Sequence, residues 1–390
     1  MIKNHNNICK IAINILIFVF IMVNFALFGN VCYFAFAKEK ELSSAKAMAV
    51  METSSGRILY QKNSQEKLPM ASTTKIITAI VVLENIDDLE TMFTATKECV
   101  GVEGTSVYLR EGEALTIREL LYGLMLRSGN DAAVALAIAT SGSVSEFVDL
   151  CNKFCASIGA NNTHLSNPHG LTDKDHYTTA SDLCLISAYA LKNPEFAKIV
   201  STRQKTISNT LNTAKNRVLN NKNKLLKNME NATGVKTGYT KAAGRCFVGS
   251  AKKDDMELVC VLLNCVPMFE ECQALLEKGF AEYKMVDVLG SGEVVGEVST
   301  ENCDTKSVKI VARHGARLPL SVAESDTIEI VYDFPKVISA PQTKDFPIGK
   351  FDIYASKDLI FSGKIYIIED VKSEEKTFGG EIVKDWIHLD

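Results

Sequence analysis

The sequence predicts an α+β domain, with helices packed on an antiparallel sheet, followed by a small all-β domain. Three observations carry this. The chain has 390 residues, too many for one small domain. Up to about Tyr283, apolar helical patterns interleave with β-like runs; beyond it only short β runs with turn residues between them appear. Hydrophobic residues make up 46% and charged residues 23%, enough for a core in each part.

The N-terminal segment is set apart. Lys3 and Lys10 precede a largely apolar run over residues 11–37, which ends in Ala35-Phe36-Ala37 before the charged Lys38-Glu39-Lys40-Glu41. A basic start, an apolar stretch and an A-x-A site read as a secretory signal peptide over residues 1–37. The run is also long enough for an uncleaved anchor. Both readings export the rest of the chain. The formal net charge of −4, with no basic stripe interleaved with aromatics, gives no sign of a nucleic-acid partner. Of 11 cysteines, Cys9 and Cys32 fall in the signal. The others follow no redox or small-disulfide spacing and read as buried small residues.

Residues 46–50 and 58–60 are β-like around "TSSGR", a hairpin that opens the sheet. Residues 72–83 are apolar on all sides after Lys75, the pattern of a core helix. Thr116 with Glu119 forms a capping box for a helix that runs to Leu126 and breaks at "RSGN". Asp131 restarts a helix, and Ser143 with Glu146 opens another. Residues 161–176 are loop-like. "GRCFVGSA" and "MELVCVLL" are strands joined at a charged turn, and a helix over about 269–283 closes the first domain, residues 38–283. Residues 284–370 form the β domain. In the tail, residues 371–390, Phe378, Ile382 and Trp386 are spaced as in an interfacial helix. That spacing suits membrane contact; a tail packed on the β domain, or a disordered one, is the other reading.

Three short motifs carry the chemistry. Ser72-Thr73-Thr74-Lys75 is S-x-x-K, Ser128-Gly129-Asn130 is S-x-N, and Lys236-Thr237-Gly238 is K-T-G. Each alone is weak; their joint occurrence in this order in an exported chain is specific. At i and i+3 on a helix, Ser72 and Lys75 share a face. A serine is a weak nucleophile until a base takes its proton. A lysine becomes such a base only if burial and neighbouring positive charge lower its pKa, and Lys236 is placed to supply that charge. Backbone N–H groups at a helix start are ready oxyanion donors. Without the partner motifs, Ser72 would read as a plain helix cap and Lys236 as a solvated strand-end lysine. His164, His169 and His176 cluster in one loop, but no Cys or carboxylate spacing completes a metal site. No cofactor is expected.

These motifs resemble those of the penicillin-recognising serine hydrolases, and among them the D-alanyl-D-alanine carboxypeptidases, or low-molecular-mass penicillin-binding proteins. The supporting segments are "LPMASTTKIITA", "LLYGLMLRSGNDAAVALA", "SNPHGLTDKDHYTTASDL" and "GVKTGYTKAAGRCFVGSA". The resemblance covers about residues 40–370 and implies the serine β-lactamase/penicillin-binding-protein-like fold with a C-terminal β domain. It implies Ser72 as the acylated nucleophile and Lys75 as its base. Ser128 would relay protons, and Asn130 would hold the substrate amide and orient Lys75. Lys236 and Thr237, with Gly238 beside them, would bind the terminal carboxylate, with Lys222 as the nearest match to an upstream basic residue that helps. The backbone N–H groups of Ser72 and Tyr239 would form the oxyanion hole. His176 and Asp182 would be structural. The implied partners are peptidoglycan stem peptides as substrate and β-lactams as covalent inhibitors. A class A β-lactamase deacylates through a glutamate after S-x-N, and this chain has no Asp or Glu between Asp149 and Asp173. That favours a carboxypeptidase over a lactamase. Transpeptidase or endopeptidase action and a non-catalytic wall-binding module are the other readings.

Overall fold

The computed structural model describes residues 42–208 and 216–374. The signal segment, and the tail from residue 375 on, lie outside the described residues.

The chain enters through the hairpin of β1 (Ala47–Glu52) and β2 (Ile58–Lys62). A 3₁₀ turn, Ala71–Thr74, then leads into α1 (Lys75–Asn85). Next come the short pair β3 (Met92–Thr94) and β4 (Ala114–Thr116). Helix α2 (Ile117–Tyr122) follows and runs on as a π turn, Gly123–Arg127. Helices α3 (Asn130–Ser141), α4 (Val144–Ser157), α5 (Ala180–Leu191) and α6 (Pro194–Ser201) build the helical layer. Their starts follow local chemistry. The side chains of Thr116, Ser143, Thr179 and Asn193 accept backbone N–H bonds at the N-termini of α2, α4, α5 and α6, and Pro194 opens α6. The pair β5 (Gln204–Ile207) and β6 (Arg217–Asn220) and the single turn α7 (Leu225–Asn228) lead to β7 (Ala232–Thr240), β8 (Gly244–Lys253) and β9 (Met256–Leu263). Helix α8 (Met268–Glu282) closes this part.

The antiparallel sheet runs β2-β1-β9-β8-β7. Both its faces are covered, which is why its strands read as near-continuous apolar runs. Ala47, Ala49, Val259 and Val261 face the core shared with α1 to α6, whereas Met48, Val50, Cys260 and Leu262 face the core shared with α8. Helix α1 lies within the first core, with Lys75 to Val82 all buried. No disulfide joins the nine cysteines of the described residues; eight are buried.

Beyond α8 follow β10 (Tyr283–Leu289), β11 (Glu293–Glu301), β12 (Ser307–Ala312) and β13 (Ala316–Ser321). After the short α9 (Val322–Ser325) come β14 (Glu329–Asp333), β15 (Val337–Ser339), β16 (Gly349–Ala355) and β17 (Asp358–Ile367). β14-β16-β17-β12-β11-β15 form one sheet and β10 pairs with β13. The buried residues of their core run, among those described, from Leu289 to Val371. The two parts meet at Arg57, which bonds Glu324 at 2.5 Å and the carbonyl of Pro319; within the first part, the Tyr60 hydroxyl donates to Glu282 of α8 at 2.6 Å.

Candidate active site

Ser72 sits on the 3₁₀ turn before α1, not in the helix itself. In a 3₁₀ turn residues i and i+3 eclipse, so Ser72 and Lys75 still share a face. The turn is sharp: Ala71 takes the left-handed conformation at φ +49°. Two features hold it. Gly170 lies against it so closely that a Cβ there would come 1.9 Å from the Ala71 carbonyl oxygen. Thr74 Oγ1 donates to that same carbonyl at 2.7 Å and contacts His176 Nε2 at 2.7 Å. His176 Nδ1 accepts from Ser166 N at 3.0 Å, so the proton of a neutral ring sits on Nε2 and is given to Thr74. Burial keeps the ring neutral, with its pKa pushed down to about 4.

Lys75 is 0% exposed. Its Nζ lies 2.7 Å from Asn130 Oδ1, 2.6 Å from the His169 carbonyl and 3.1 Å from Ser72 Oγ. The first two partners accept only. A neutral amine has two hydrogens and one lone pair; the hydrogens go to the two carbonyls, and the lone pair is left facing the serine hydroxyl. The electrostatics favour that neutral form. Burial first, then the charges of Lys236 and Lys222, hold the Lys75 pKa well below the usual lysine range, against a smaller upward pull from Asp131.

Ser128 stands at the end of the π turn at φ +64°, buried, and lines the same cleft as Ser72. Asn130 is the first residue of α3. Its Nδ2 donates to the Glu103 carbonyl at 2.5 Å, which leaves Oδ1 for Lys75. K-T-G lies inside β7, the strand at the edge of the sheet, rather than ahead of the strands. At Gly238 the strand passes so close to the serine turn that a Cβ would meet Ser72 N at 3.0 Å and the Met70 carbonyl at 3.1 Å. That approach sets the strand directly against the Ser72 N–H. Lys236 is 2% exposed and donates to the Thr237 carbonyl at 2.8 Å. Burial and then Lys222 push its pKa down to about 7. Lys222 reaches the cleft wall, 3.4 Å from Thr105 Oγ1. The cleft, about 410 Å³, is lined by Ser72, Ser128, Lys222, Thr237, Gly238 and Tyr239 among others. All nine residues singled out in the sequence therefore converge on it or on the lysines behind it.

Some contributors carried no motif signal. The loop at Pro168-His169-Gly170 supplies backbone oxygen: Thr78 Oγ1 donates to the Pro168 carbonyl at 2.6 Å, next to the Lys75–His169 bond. Asp131 accepts from the N–H groups of Val107 and Leu109, both at 3.0 Å, and so secures the wall that carries Thr105. A buried acid beside S-x-N was the available clue. Asp182, read as structural, accepts from Asn162 N at 2.7 Å and Thr163 Oγ1 at 2.9 Å.

Known proteins resemble this chain along most of its length. Residues 35–266 match the family model described as D-alanyl-D-alanine carboxypeptidase, and residues 283–373 match that of the penicillin-binding protein 5 C-terminal domain. The D-alanyl-D-alanine carboxypeptidase DacF of Bacillus subtilis is 30% identical over 90% of this chain and 94% of its own length. That of Streptomyces sp. strain K15 is 33% identical over 63% of this chain and 91% of its own. Among solved structures, penicillin-binding protein 5 of Haemophilus influenzae superposes with a TM-score of 0.75 at 29% identity, covering 85% of this chain and 98% of that one.

Proposed function

The chain belongs to the D-alanyl-D-alanine carboxypeptidase family, and from that premise we propose that Ser72 is the residue acylated in each turnover, with Lys75 as its base. The protein is a serine-type D-Ala-D-Ala carboxypeptidase that removes the terminal D-alanine of peptidoglycan stem pentapeptides, acts outside the cytoplasm, and is open to covalent inhibition by penicillins.

The observation that supports the assignment best is the triad of contacts at Lys75 Nζ, in which two carbonyl acceptors leave a lone pair for the serine. Lys75 takes the Ser72 proton as Oγ attacks the carbonyl of the penultimate D-alanine. The oxyanion is met by the N–H groups of Ser72 and Tyr239. Lys236 and Thr237, with Lys222 nearby, hold the terminal carboxylate, and Asn130 holds the substrate amide. Lys75 and Ser128 pass the proton to the departing amine. Water then releases the shortened peptide. Among the described residues no carboxylate is hydrogen-bonded to Ser72 or Lys75; the loop against the serine turn offers the His169 carbonyl instead. This supports slow deacylation of a penicilloyl enzyme and tells against a lactamase.

Residues 38–283 serve as the catalytic domain and 284–370 as a β domain that presents it. Residues 1–37 direct export, which the basic start and A-x-A site support. The tail touches the membrane surface through the row of Phe378, Ile382 and Trp386. The purified protein is expected to release D-alanine from a D-Ala-D-Ala peptide and to retain labelled penicillin covalently. Ser72→Ala should do neither. D-alanine release by that variant would sink the assignment, and rapid turnover of penicillin by the wild type would favour the lactamase reading.

A further inference from the structure

Side chains alternate along β7, and the two faces of the strand lead to different places. Lys236 and Gly238 turn toward the serine turn and the helical layer. Thr237 and Tyr239 turn the other way, opposite Phe247 and Arg245 of β8. The Phe247 ring meets Phe269 of α8 at 4.9 Å, and Arg245 lies over the Tyr239 ring at 5.8 Å. The cleft follows this second face: beyond Thr237 its lining continues to Tyr239, Arg245, Lys224, Met268 and Phe269. The carboxylate held at Lys236 and Thr237 belongs to the leaving amino acid, so this extension lies on the leaving-group side of the scissile bond.

Its charge is one-sided. Lys222, Lys224 and Arg245 line the cleft, Lys236 stands behind it, and among the described residues no carboxylate lines it. Among the described residues none of these four forms an ion pair. The acids that follow Phe269, Glu270 and Glu271, do not reach the lining. A terminal D-alanine brings one negative charge to this group of cations and a methyl group to a space far larger than a methyl.

Resting on the carboxypeptidase reading, we propose that Lys224 and Arg245, with Met268 and Phe269 as an apolar bed, form a leaving-group subsite for a second carboxylate, so that among terminal D-amino acids larger than alanine the enzyme prefers one with an acidic side chain. The methylenes of such a side chain lie on the Met268 and Phe269 surface and the carboxylate meets the guanidinium of Arg245, which offers a planar fork of donors. The bond cleaved is the same D-alanyl amide. Water supplies the hydroxyl to the acyl carbon and a proton to the amine, and the acidic D-amino acid departs.

The test compares peptides that end in D-Ala-D-Glu and D-Ala-D-Gln, which differ only in charge at that position, with active sites counted by penicillin labelling. Wild type should favour the glutamate peptide in kcat/KM by about tenfold, with less preference at high salt. The ratio should fall to near one in the Lys224→Ala, Arg245→Ala double variant and invert in Arg245→Glu. A wild-type ratio near one, or a preference that survives the double variant, overturns the subsite. Failure of wild type to release D-alanine from D-Ala-D-Ala, or to take up penicillin, would instead overturn the carboxypeptidase reading beneath it.

Discussion

At the scale of single residues, the proposed mechanism divides the work of two buried lysines by charge. In it Lys75 must be neutral to accept the serine proton, and Lys236 must be charged to hold a carboxylate. kcat/KM reports the free enzyme, so activity should rise with pH as Lys75 loses its proton. It should fall again as pH passes about 7, where Lys236 loses its own. Lys236→Arg keeps a charge that does not titrate in this range. A pH–rate profile of that variant should therefore lose the basic limb at reduced overall rate, and a basic limb that stays in place would assign it to another group. This pairing was legible in the sequence only as residue types. The three motifs named Ser72, Lys75, Asn130 and Lys236, and burial of an apolar helix suggested a depressed lysine. The acceptor that completes the Lys75 geometry is the His169 backbone carbonyl, and a main-chain oxygen leaves no mark on residue identity.

At the scale of elements, the site is built where irregular backbone is braced by regular structure. The proposed nucleophile, Ser72, lies on a 3₁₀ turn and not in the first turn of α1, and Ser128 ends a π turn. Apolar periodicity reports which side of a segment is buried and is blind to whether its first turn closes at i+3 or i+4, which is why the turn read as helix. The capping box at Thr116 and Glu119 was legible and is present, because side-chain chemistry alone decides it. The loop over residues 161–176 was read as loop, and its role as a brace was not visible, since it depends on contacts with residues nearly a hundred positions away. Gly170 is the tightest of those contacts. It sits at φ +90° with no room for a Cβ against the backbone of Ala71. Gly170→Ala is expected to cost about 2–4 kcal/mol in unfolding free energy. It should also slow penicillin acylation more than tenfold by displacing the serine turn. Unfolding in denaturant and the rate of labelling together check this, and a variant with wild-type values in both would show that the loop does not hold the turn.

At the scale of the whole molecule, the C-terminal β domain joins the sheet at the end remote from the chemistry. The cleft follows β7, and Arg57 precedes β2 at the opposite edge of the five strands. Four strand spacings, about 19 Å, separate the two edges. The sequence showed that an all-β part follows Tyr283 but could not show the docking, which rests on side chains from both parts. Arg57 carries much of it, through both oxygens of Glu324 and the Pro319 carbonyl, with its ring neighbour Tyr283 at 5.7 Å. Burial alone would raise the Glu324 pKa, but hydrogen bonds from Arg57 and the Ser321 N–H outweigh it and hold the carboxyl below its usual range. A depressed carboxyl pKa contributes stability that is present above the unfolded value and lost as pH falls through the folded one. Arg57→Ala should therefore lower stability by about 1–2 kcal/mol at neutral pH, since the pair is only partly screened from water. The difference from wild type should shrink once the pH drops below the usual carboxylate range. Because the site lies at the far edge, kcat/KM on a small soluble peptide should stay within about twofold of wild type. Thermal unfolding across pH and peptide kinetics measure both quantities. A large loss of turnover would show that the β domain shapes the cleft, and a stability difference that persists in acid would show that the Arg57–Glu324 bond is not what joins the two parts.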